Sequence, residues 1–258
     1  MKKLLWLATL LAPLAAPALA QAPAPATNIV EKSSDYRFQM DYQVNQAALN
    51  KLLPAGWESA VAAQGPAKDC NIRLIFVERS NIVGPDNRVL RNGKDMLAFI
   101  EAPVRQVGGT AGGTVTGRMI LAGISSASPG SVMLAARTTN VSRSRNVQND
   151  TAMVTEDWEF VATSGERLQL HVQYRPAPTN VGTGETRFFD PADPTKMQLW
   201  RTETATDIAR NVTTNPPDRV TQFSYRVSGG KFAALFDGSE KALSWDAQPV
   251  YSRTVVQP

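Results

Sequence analysis

Short runs of alternating apolar and polar residues recur along most of this chain, and they constrain its fold more than any other feature. The clearest run is residues 168–174, LQLHVQY, in which every second residue is apolar. A period of two is that of a β-strand with one buried face and one polar face. Similar runs, bounded by Gly, Pro and Asn, predict about ten to twelve short strands. We therefore predict a mostly β chain (α+β at most) that forms a single-domain curved sheet or β-barrel.

The first twenty residues are predicted to be a signal peptide. Two lysines open the chain, residues 4–14 are mostly apolar, and Ala18-Leu19-Ala20 is a small-residue cleavage site. We expect cleavage after Ala20 and a periplasmic or secreted protein. No later stretch reaches the ~18 apolar residues that a membrane span needs. Residues 21–35 are predicted to be a flexible Pro/Ala-rich tether, and the single domain is predicted to cover residues 36–258.

Charge and cysteine content argue against several partners and cofactors. The formal charge is +4, and it falls to +2 when the two lysines of residues 1–20 are removed. Arg137, Arg143 and Arg145 form a local basic cluster without interleaved aromatic residues, which favours a solvated face. Cys70 is the only cysteine and His171 the only histidine, which excludes an intramolecular disulfide and the common Cys/His zinc sets. We expect no metal, no cofactor and no nucleic acid, and a buried thiol at Cys70.

A strand, a short helix and a proline stop are predicted between Tyr42 and Trp57, YQVNQAALNKLLPAGW. Asn45 is a usual N-cap residue because its side-chain oxygen satisfies an orphan backbone N–H. Positions 48, 49, 52 and 53 are apolar at helical spacing, and Pro54 ends the helix. This order of elements resembles the opening of the acetoacetate decarboxylase family.

Two further segments carry the same resemblance. Residues 234–238, ALFDG, with the later Pro249-Val250, are similar to the family's closing segment. In the middle, Gly117-Arg118 resembles the family's Gly-Arg-Glu segment, which leads into a Pro-Lys-Lys run carrying the Schiff-base lysine. The resemblance implies a double β-barrel with one or two short helices and a cavity for a small carboxylate or carbonyl compound.

The residues that carry that family's chemistry are missing. Aligned without gaps, Ile124-Ser125-Ser126 replaces Pro-Lys-Lys, Met119 replaces the glutamate, and Gln43 replaces the arginine after the opening tyrosine. No lysine occurs between Lys94 and Lys196. Schiff-base decarboxylation needs an amine whose pKa is lowered by a cationic neighbour, and a serine hydroxyl cannot act in its place. We therefore predict the fold without the Schiff-base decarboxylase activity.

The alignment also gives a candidate ligand site without any predicted catalytic residue. Arg118 would supply positive charge to a carboxylate or carbonyl ligand. The candidate ligand-binding residues are Gln43, Glu101, Arg118, Ser125 and Ser126.

Three functions stay open. The first is a non-catalytic binder of a small molecule, either as a monomer or as a homo-oligomer. The second is an enzyme, a lyase or a hydrolase, that uses the same cavity through another residue such as Lys94, Glu101 or Arg73. The third is a structural or interaction protein of the cell envelope.

Some local interpretations depend on the fold. Residues 199–211 fit a helix or a strand equally, because apolar residues at helical spacing are mixed with β-branched threonines. Trp158, Phe160 and Trp200 are interpreted as core, and His171 as a surface or core histidine. The acids Glu101, Glu156, Asp157 and Glu159 would need to converge in pairs to serve glycoside hydrolysis, and a solvated face is the simpler interpretation.

Overall fold

The computed structural model describes residues 28–108, 114–127, 130–212 and 218–258. The predicted signal peptide and the first part of the predicted tether lie outside the described residues. Within these ranges the strands are β1 Asn28–Gln43, β2 Trp57–Ser59, β3 Ile72–Val83, β4 Lys94–Gln106, β5 Thr116–Ser125, β6 Met133–Gln148, β7 Thr151–Ala162, β8 Arg167–Tyr174, β9 Asn180–Asp190, β10 Asp193–Asn211, β11 Val220–Ser228 and β12 Lys241–Gln257. The helices are α1 Gln46–Asn50 and α2 Gly230–Ala233, and Arg91–Gly93 forms a 3-10 turn. The predicted mostly β fold is confirmed.

Seven of these strands close into a barrel, because the hydrogen-bonded order β5-β9-β10-β12-β1-β3-β4 returns to β5 through the pairing of β4 with β5. Neighbouring strands are antiparallel except at β5 and β9, where Arg118 lies opposite Phe188 in a parallel pairing. Every second residue of a barrel strand points inward. The closed sheet therefore has an interior that is separate from its outer surface.

A second, four-stranded sheet in the order β6-β7-β8-β11 covers one side of the barrel. Strand β6 joins the barrel through three parallel pairs with β5, from Gly123–Met133 to Ser125–Ala135. The ring of Phe76 on β3 lies 5.9 Å from that of Trp158 and 6.1 Å from that of Phe160, both on β7. The main hydrophobic core thus lies between the outer face of the barrel and this sheet. Trp158 and Phe160 are buried, as predicted, and so is Trp200 on β10.

Helix α1 follows β1 as the sequence predicts. The side-chain oxygen of Asn45 accepts hydrogen bonds from the backbone N–H groups of Ala47 and Ala48, at 3.0 and 3.1 Å. Leu49 is the buried residue of this short helix. None of the helices in the described ranges is long and apolar enough to cross a membrane.

The start of the ordered domain differs from the prediction. Strand β1 begins at Asn28, so residues 28–35 belong to the barrel and not to a tether covering residues 21–35. Glu31 and Asp35 lie on the inner face of this strand and are buried. Nothing in the local sequence reveals the arginines that neutralise them.

The ambiguous segment of residues 199–211 is a strand. It forms most of β10, which pairs along its length with β9 and β12. Threonines are tolerated here because β-branched side chains fit a pleated sheet. Pairing with β9 and β12 therefore determines that residues 199–211 form a strand, which the local sequence does not.

Candidate functional site

The barrel interior is charged at both ends and apolar between them. On β1, every second residue from Glu31 to Asp41 is polar and buried. Strands β3 and β4 bring an arginine opposite a carboxylate at each end, because Arg73 pairs with Glu101 and Arg79 with Asp95. Between these pairs lie the inward apolar residues Ile75, Val77, Leu97 and Phe99.

A cavity of about 320 Å³ occupies one end of the barrel interior. Its apolar lining includes Val77, Leu97, Phe99, Ile120, Trp200 and Val255, and its polar lining includes Glu31, Arg37, Arg79, Arg91, Asp95, Ser125 and Arg253. Arg37, Arg79 and Arg253 are 4%, 6% and 7% exposed. Arg91 lies on the 3-10 turn at the rim, where its side chain is 36% exposed. A volume of this order, with apolar walls and a few convergent polar groups, is typical of a small-molecule site.

Glu31 is a shared acceptor for three of the arginines. It pairs with Arg79 and Arg91, and it accepts a hydrogen bond of 2.6 Å from Nη2 of Arg253. Burial alone would raise the pKa of Glu31, but Arg253, Arg79 and Arg91 outweigh burial and hold the pKa below its usual value. Glu31 is therefore an anion in the folded protein at neutral pH.

A second carboxylate, Asp35, pairs with Arg37. Nη2 of Arg37 donates a hydrogen bond of 2.7 Å to Oδ2 of Asp35. The Cζ atom of Arg37 also lies 3.3 Å from the centre of the Tyr251 ring. Burial alone would raise the pKa of Asp35, but Arg37, Arg253 and Arg79 together lower it. The guanidinium of Arg37 is thus fixed by an ion pair and an aromatic face.

The described residues of this cluster carry more positive than negative charge. Arg37, Arg79, Arg91 and Arg253 face the carboxylates of Glu31, Asp35 and Asp95. Burial, and after it the neighbouring Arg79, lowers the pKa of Arg253 to about 10. The pKa of an arginine falls when its cation is buried with too little opposite charge nearby. An added anion would therefore be stabilised here.

Two guanidinium N–H groups of the cavity have no acceptor among the described residues. They are the Nε groups of Arg79 and Arg253, and both are buried. Oδ1 of Asp35 lies 3.7 Å from Nε of Arg79, which is beyond hydrogen-bond distance. Because a buried donor without an acceptor costs free energy, a ligand oxygen that reached either group would be stabilised.

Ser125, one of the two serines that align with the family's Pro-Lys-Lys run, lines this cavity. It is buried on β5, and its hydroxyl donates a hydrogen bond of 2.9 Å to Oδ1 of Asp95. Ser126 donates to the same oxygen at 3.2 Å, but it is exposed beyond the end of the strand. The two hydroxyls thus share one carboxylate, and Ser125 is the one that faces the cavity.

Arg118 and Glu101 lie at the other end of the barrel. Nη1 of Arg118 donates to Oε1 of Glu101 at 2.8 Å, and Arg73 lies 3.5 Å from the same oxygen. A separate cleft of about 450 Å³ opens beside Arg73, Arg118 and Cys70. Burial, then the adjacent Arg73, lowers the pKa of Arg118. Burial also raises the pKa of the Cys70 thiol to about 12, so this buried cysteine is protonated at neutral pH.

The structure does not gather all five predicted residues into one cavity. Arg118 precedes Ser125 by seven positions on β5, which is about 23 Å at the usual rise of a strand. Gln43 ends β1 and lines neither the cavity nor the cleft. The alignment placed these residues in one neighbourhood of the sequence, whereas the extended strand holds them apart.

Sequence reasoning missed the arginines that surround the cavity. Arg37, Arg79 and Arg253 come from β1, β3 and β12. The available signal was the alternation on β1, where polar residues recur at every second position from Glu31 to Asp41 and the other face is apolar from Tyr36 onward. A polar face on an antiparallel strand is usually solvated, and only closure of the barrel turns it into an interior.

The remaining candidate groups lie away from the cavity. No lysine is among the described residues that line it, and Lys94 is exposed at the start of β4. Glu156 is fully buried in the main core, where it accepts hydrogen bonds from Trp158 and Tyr174. Asp157 instead pairs with the partly exposed His171 at 2.7 Å, on the opposite face of β7. These two acids therefore do not face each other.

Comparison with known proteins shows the fold. No family model and no curated protein matches the chain. Among solved structures, the enduracididine biosynthesis enzyme MppR, with HEPES buffer bound, matches with a TM-score of 0.53 at 12% identity, over 95% of this chain and 96% of that chain. An acetoacetate decarboxylase-like enzyme from Sphingomonas wittichii RW1 gives a TM-score of 0.49 at 11% identity, over 89% of this chain and 91% of that chain.

The chain has an acetoacetate decarboxylase-like β-barrel fold, as the sequence motifs predict. At such low identity the similarity shows the fold alone. A shared fold does not establish a shared activity, so function has to be argued from the cavity.

Proposed function

We propose that the protein binds a small carboxylate compound in the barrel cavity, and that guanidinium groups rather than a Schiff-base lysine hold the ligand. The observation that carries this proposal is the excess positive charge of the arginines that line the cavity, two of which, Arg79 and Arg253, have buried Nε–H groups without an acceptor among the described residues. A carboxylate would accept hydrogen bonds from these arginines and offset that charge. Ser125 also lines this cavity.

The cavity lining argues against covalent attachment of a ketone. An iminium forms only on an amine, and the described lining residues include no lysine. An enzyme that used Lys94 would need that side chain inside the barrel, whereas it is exposed. The mechanism proposed here is therefore non-covalent binding, in which ion pairs and hydrogen bonds orient the ligand.

Export is part of the same proposal. The basic start, apolar run and small-residue site within residues 1–20 support cleavage after Ala20 and a periplasmic or secreted location. Mass spectrometry of the protein purified from the periplasm or the medium should give a chain that begins at Gln21. A full-length chain confined to the cytoplasm would contradict this part.

Calorimetric titration of matched carboxylate and amide pairs tests the binding proposal. Acetate, pyruvate, benzoate and phenylacetate would each be compared with the corresponding amide. At least one carboxylate should bind ten times or more tightly than its amide, because each charge-assisted hydrogen bond contributes about 1.5–3 kcal/mol. Binding of every carboxylate no more tightly than its amide would contradict the proposal.

Arginine variants locate the binding. Arg253→Met and Arg91→Met should each weaken carboxylate binding about tenfold or more while leaving amide binding unchanged. Arg91 is a useful second site because it lies at the rim, where substitution disturbs folding less. Arg88→Met is the matched control, since the Arg88 side chain is 85% exposed and outside the cavity. Equal affinity in all three variants would place the carboxylate elsewhere.

A further inference from the structure

Beyond its arginines, the cavity is lined by hydrocarbon. Val77, Leu97 and Phe99 face it from β3 and β4 and are 0%, 8% and 1% exposed. Together with Ile75 they form a hydrophobic cluster inside the barrel, against which Ile120 of β5 packs. This cluster is separate from the main core between the barrel and the second sheet. Residues of this cluster therefore form the apolar part of the cavity lining.

The volume of the cavity exceeds what a short acid would occupy. About 320 Å³ corresponds to roughly ten water molecules at about 30 Å³ each. Acetate or pyruvate held by the arginines would leave most of this volume to water. A hydrocarbon group on the ligand would instead displace that water and contact the apolar side chains, and burial of apolar surface is favourable.

Trp200 does not favour an aromatic ligand over a saturated one. Its ring is stacked on Phe188 with centroids 3.7 Å apart, and the Cζ atom of Arg253 lies 4.2 Å from the ring centre. Phe188 and Arg253 therefore already cover the face of the Trp200 ring. The other apolar lining residues include the aliphatic Val77, Leu97, Ile120 and Val255, which pack against any compact hydrocarbon.

The carboxylates of the cavity limit the charge of the ligand. Glu31, Asp35 and Asp95 already neutralise most of the arginine charge. A single added carboxylate offsets the remaining excess, whereas a second one would be buried near like charges, which is unfavourable.

This inference rests on the proposed carboxylate site. We propose that the ligand is a monocarboxylate with a compact hydrocarbon group rather than a short keto acid, and that the whole ligand has roughly ten non-hydrogen atoms by volume. The arginines hold the carboxylate. The apolar lining residues Val77, Leu97, Phe99 and Ile120, here called the β3–β4–β5 stripe, pack against the hydrocarbon.

A titration series of acids tests this proposal. The probes are acetate, pyruvate, phenylacetate, cyclohexylacetate and the dicarboxylate phenylmalonate. Phenylacetate and cyclohexylacetate should each bind at least about tenfold more tightly than acetate or pyruvate, the order of discrimination that a hydrophobic pocket supplies. Phenylmalonate should bind more weakly than phenylacetate.

A pair of variants tests which surface holds the hydrocarbon. Ile120→Ala should weaken phenylacetate binding several-fold and leave acetate binding unchanged. Ile29→Ala is the matched control, because Ile29 is also an isoleucine of intermediate exposure on a barrel strand but lies outside the cavity. Equal losses for phenylacetate and acetate in Ile120→Ala would overturn the assignment of the apolar stripe.

The outcomes separate this proposal from the one on which it rests. If acetate and pyruvate bind as tightly as phenylacetate, and all bind more tightly than their amides, the hydrocarbon requirement is overturned and the carboxylate site stands. If no carboxylate binds more tightly than its amide, both proposals fail. If phenylmalonate binds more tightly than phenylacetate, the restriction to monocarboxylates is overturned.

Discussion

At position 125 a hydroxyl lies beside the cavity, in the segment that aligns with the Pro-Lys-Lys run of the acetoacetate decarboxylase family. Ser125 is held by Asp95, and Arg79 lies 3.9 Å from the other oxygen of that carboxylate. An amine placed here would meet both a carboxylate and a guanidinium. The charged neighbours of position 125 would therefore set the pKa of an amine introduced there.

The native protein should not form an iminium. Treatment with borohydride in the presence of acetoacetate or pyruvate should leave its mass unchanged, because the described residues that line the cavity include no lysine. Intact-mass spectrometry followed by peptide mapping makes the measurement. A reduced adduct on Lys94 or any other lysine would show that a covalent mechanism operates.

Ser125→Lys should make the cavity competent for this trapping reaction. The buried position and the nearby Arg79 lower the pKa of a lysine, whereas Asp95 raises it, so a fraction of free amine is expected at pH 8 to 9. We expect one pyruvate adduct per chain after borohydride reduction. Ser142→Lys, on the exposed part of β6, is the control and should react no faster than a surface lysine. A folded Ser125→Lys variant that resembles this control would place position 125 away from bound ligand.

Asp246 should make the folded protein less stable as the pH rises. Burial, and then the nearby Asp41, raises the pKa of this carboxyl to about 7, whereas in the unfolded chain it is about 3.9. Between these values the folded state binds more protons, so the free energy of unfolding falls as the pH increases from about 4 to about 7.

Asp246→Asn removes this titrating group. The stability lost by the native protein between pH 4.5 and 8, measured by urea denaturation, should be smaller in the variant. Asp86→Asn, in an exposed loop, controls for the loss of a surface charge. The same pH dependence in Asp246→Asn and in the native protein would contradict the raised pKa.

At the scale of elements, closure of the barrel depends on the close approach of β5 and β9. The pairing of these strands is limited to Arg118 with Phe188. A Cβ atom on Gly117 would lie 2.6 Å from the backbone oxygen of Arg187 and 2.6 Å from a ring carbon of Phe189. The glycine of the Gly-Arg motif therefore has a structural role that is independent of any chemistry.

Gly117→Ala should destabilise the protein by about 1–3 kcal/mol, the usual cost of overpacking. Gly182→Ala on the exposed part of β9 is the matched control, because its nearest neighbour would be Oγ1 of Thr204 at 3.9 Å. Urea denaturation of both variants gives the comparison. Equal stability would show that β5 and β9 are not closely packed at Gly117.

Local patterns predicted most of the elements. The alternation of residues 168–174 corresponds to β8, and the Asn45 N-cap starts α1 as expected. Residues 28–35 and 199–211 could not be assigned locally, since their strand conformation depends on pairing with β12 and its neighbours. Such pairings join distant parts of the chain and leave no short-range signature.

At the scale of the whole molecule, the candidate site exists only because the sheet closes. Arg253 and Glu31 form an ion pair although they are 222 positions apart. The alignment could place Ser125 at the cavity because a contiguous motif carries it. It could not place Arg37, Arg79 or Arg253 there, because their common interior is created by strands that meet only in the folded barrel.

The most direct test of arginine-mediated carboxylate binding is a crystal structure with phenylacetate, grown at about ten times the dissociation constant measured in solution. The account predicts one phenylacetate in the barrel cavity, with its carboxylate oxygens within hydrogen-bond distance of Arg79 and Arg253 and its ring against the β3–β4–β5 stripe. Phenylacetate bound instead at the cleft beside Arg73 and Arg118, or a cavity that contains only water, would contradict it.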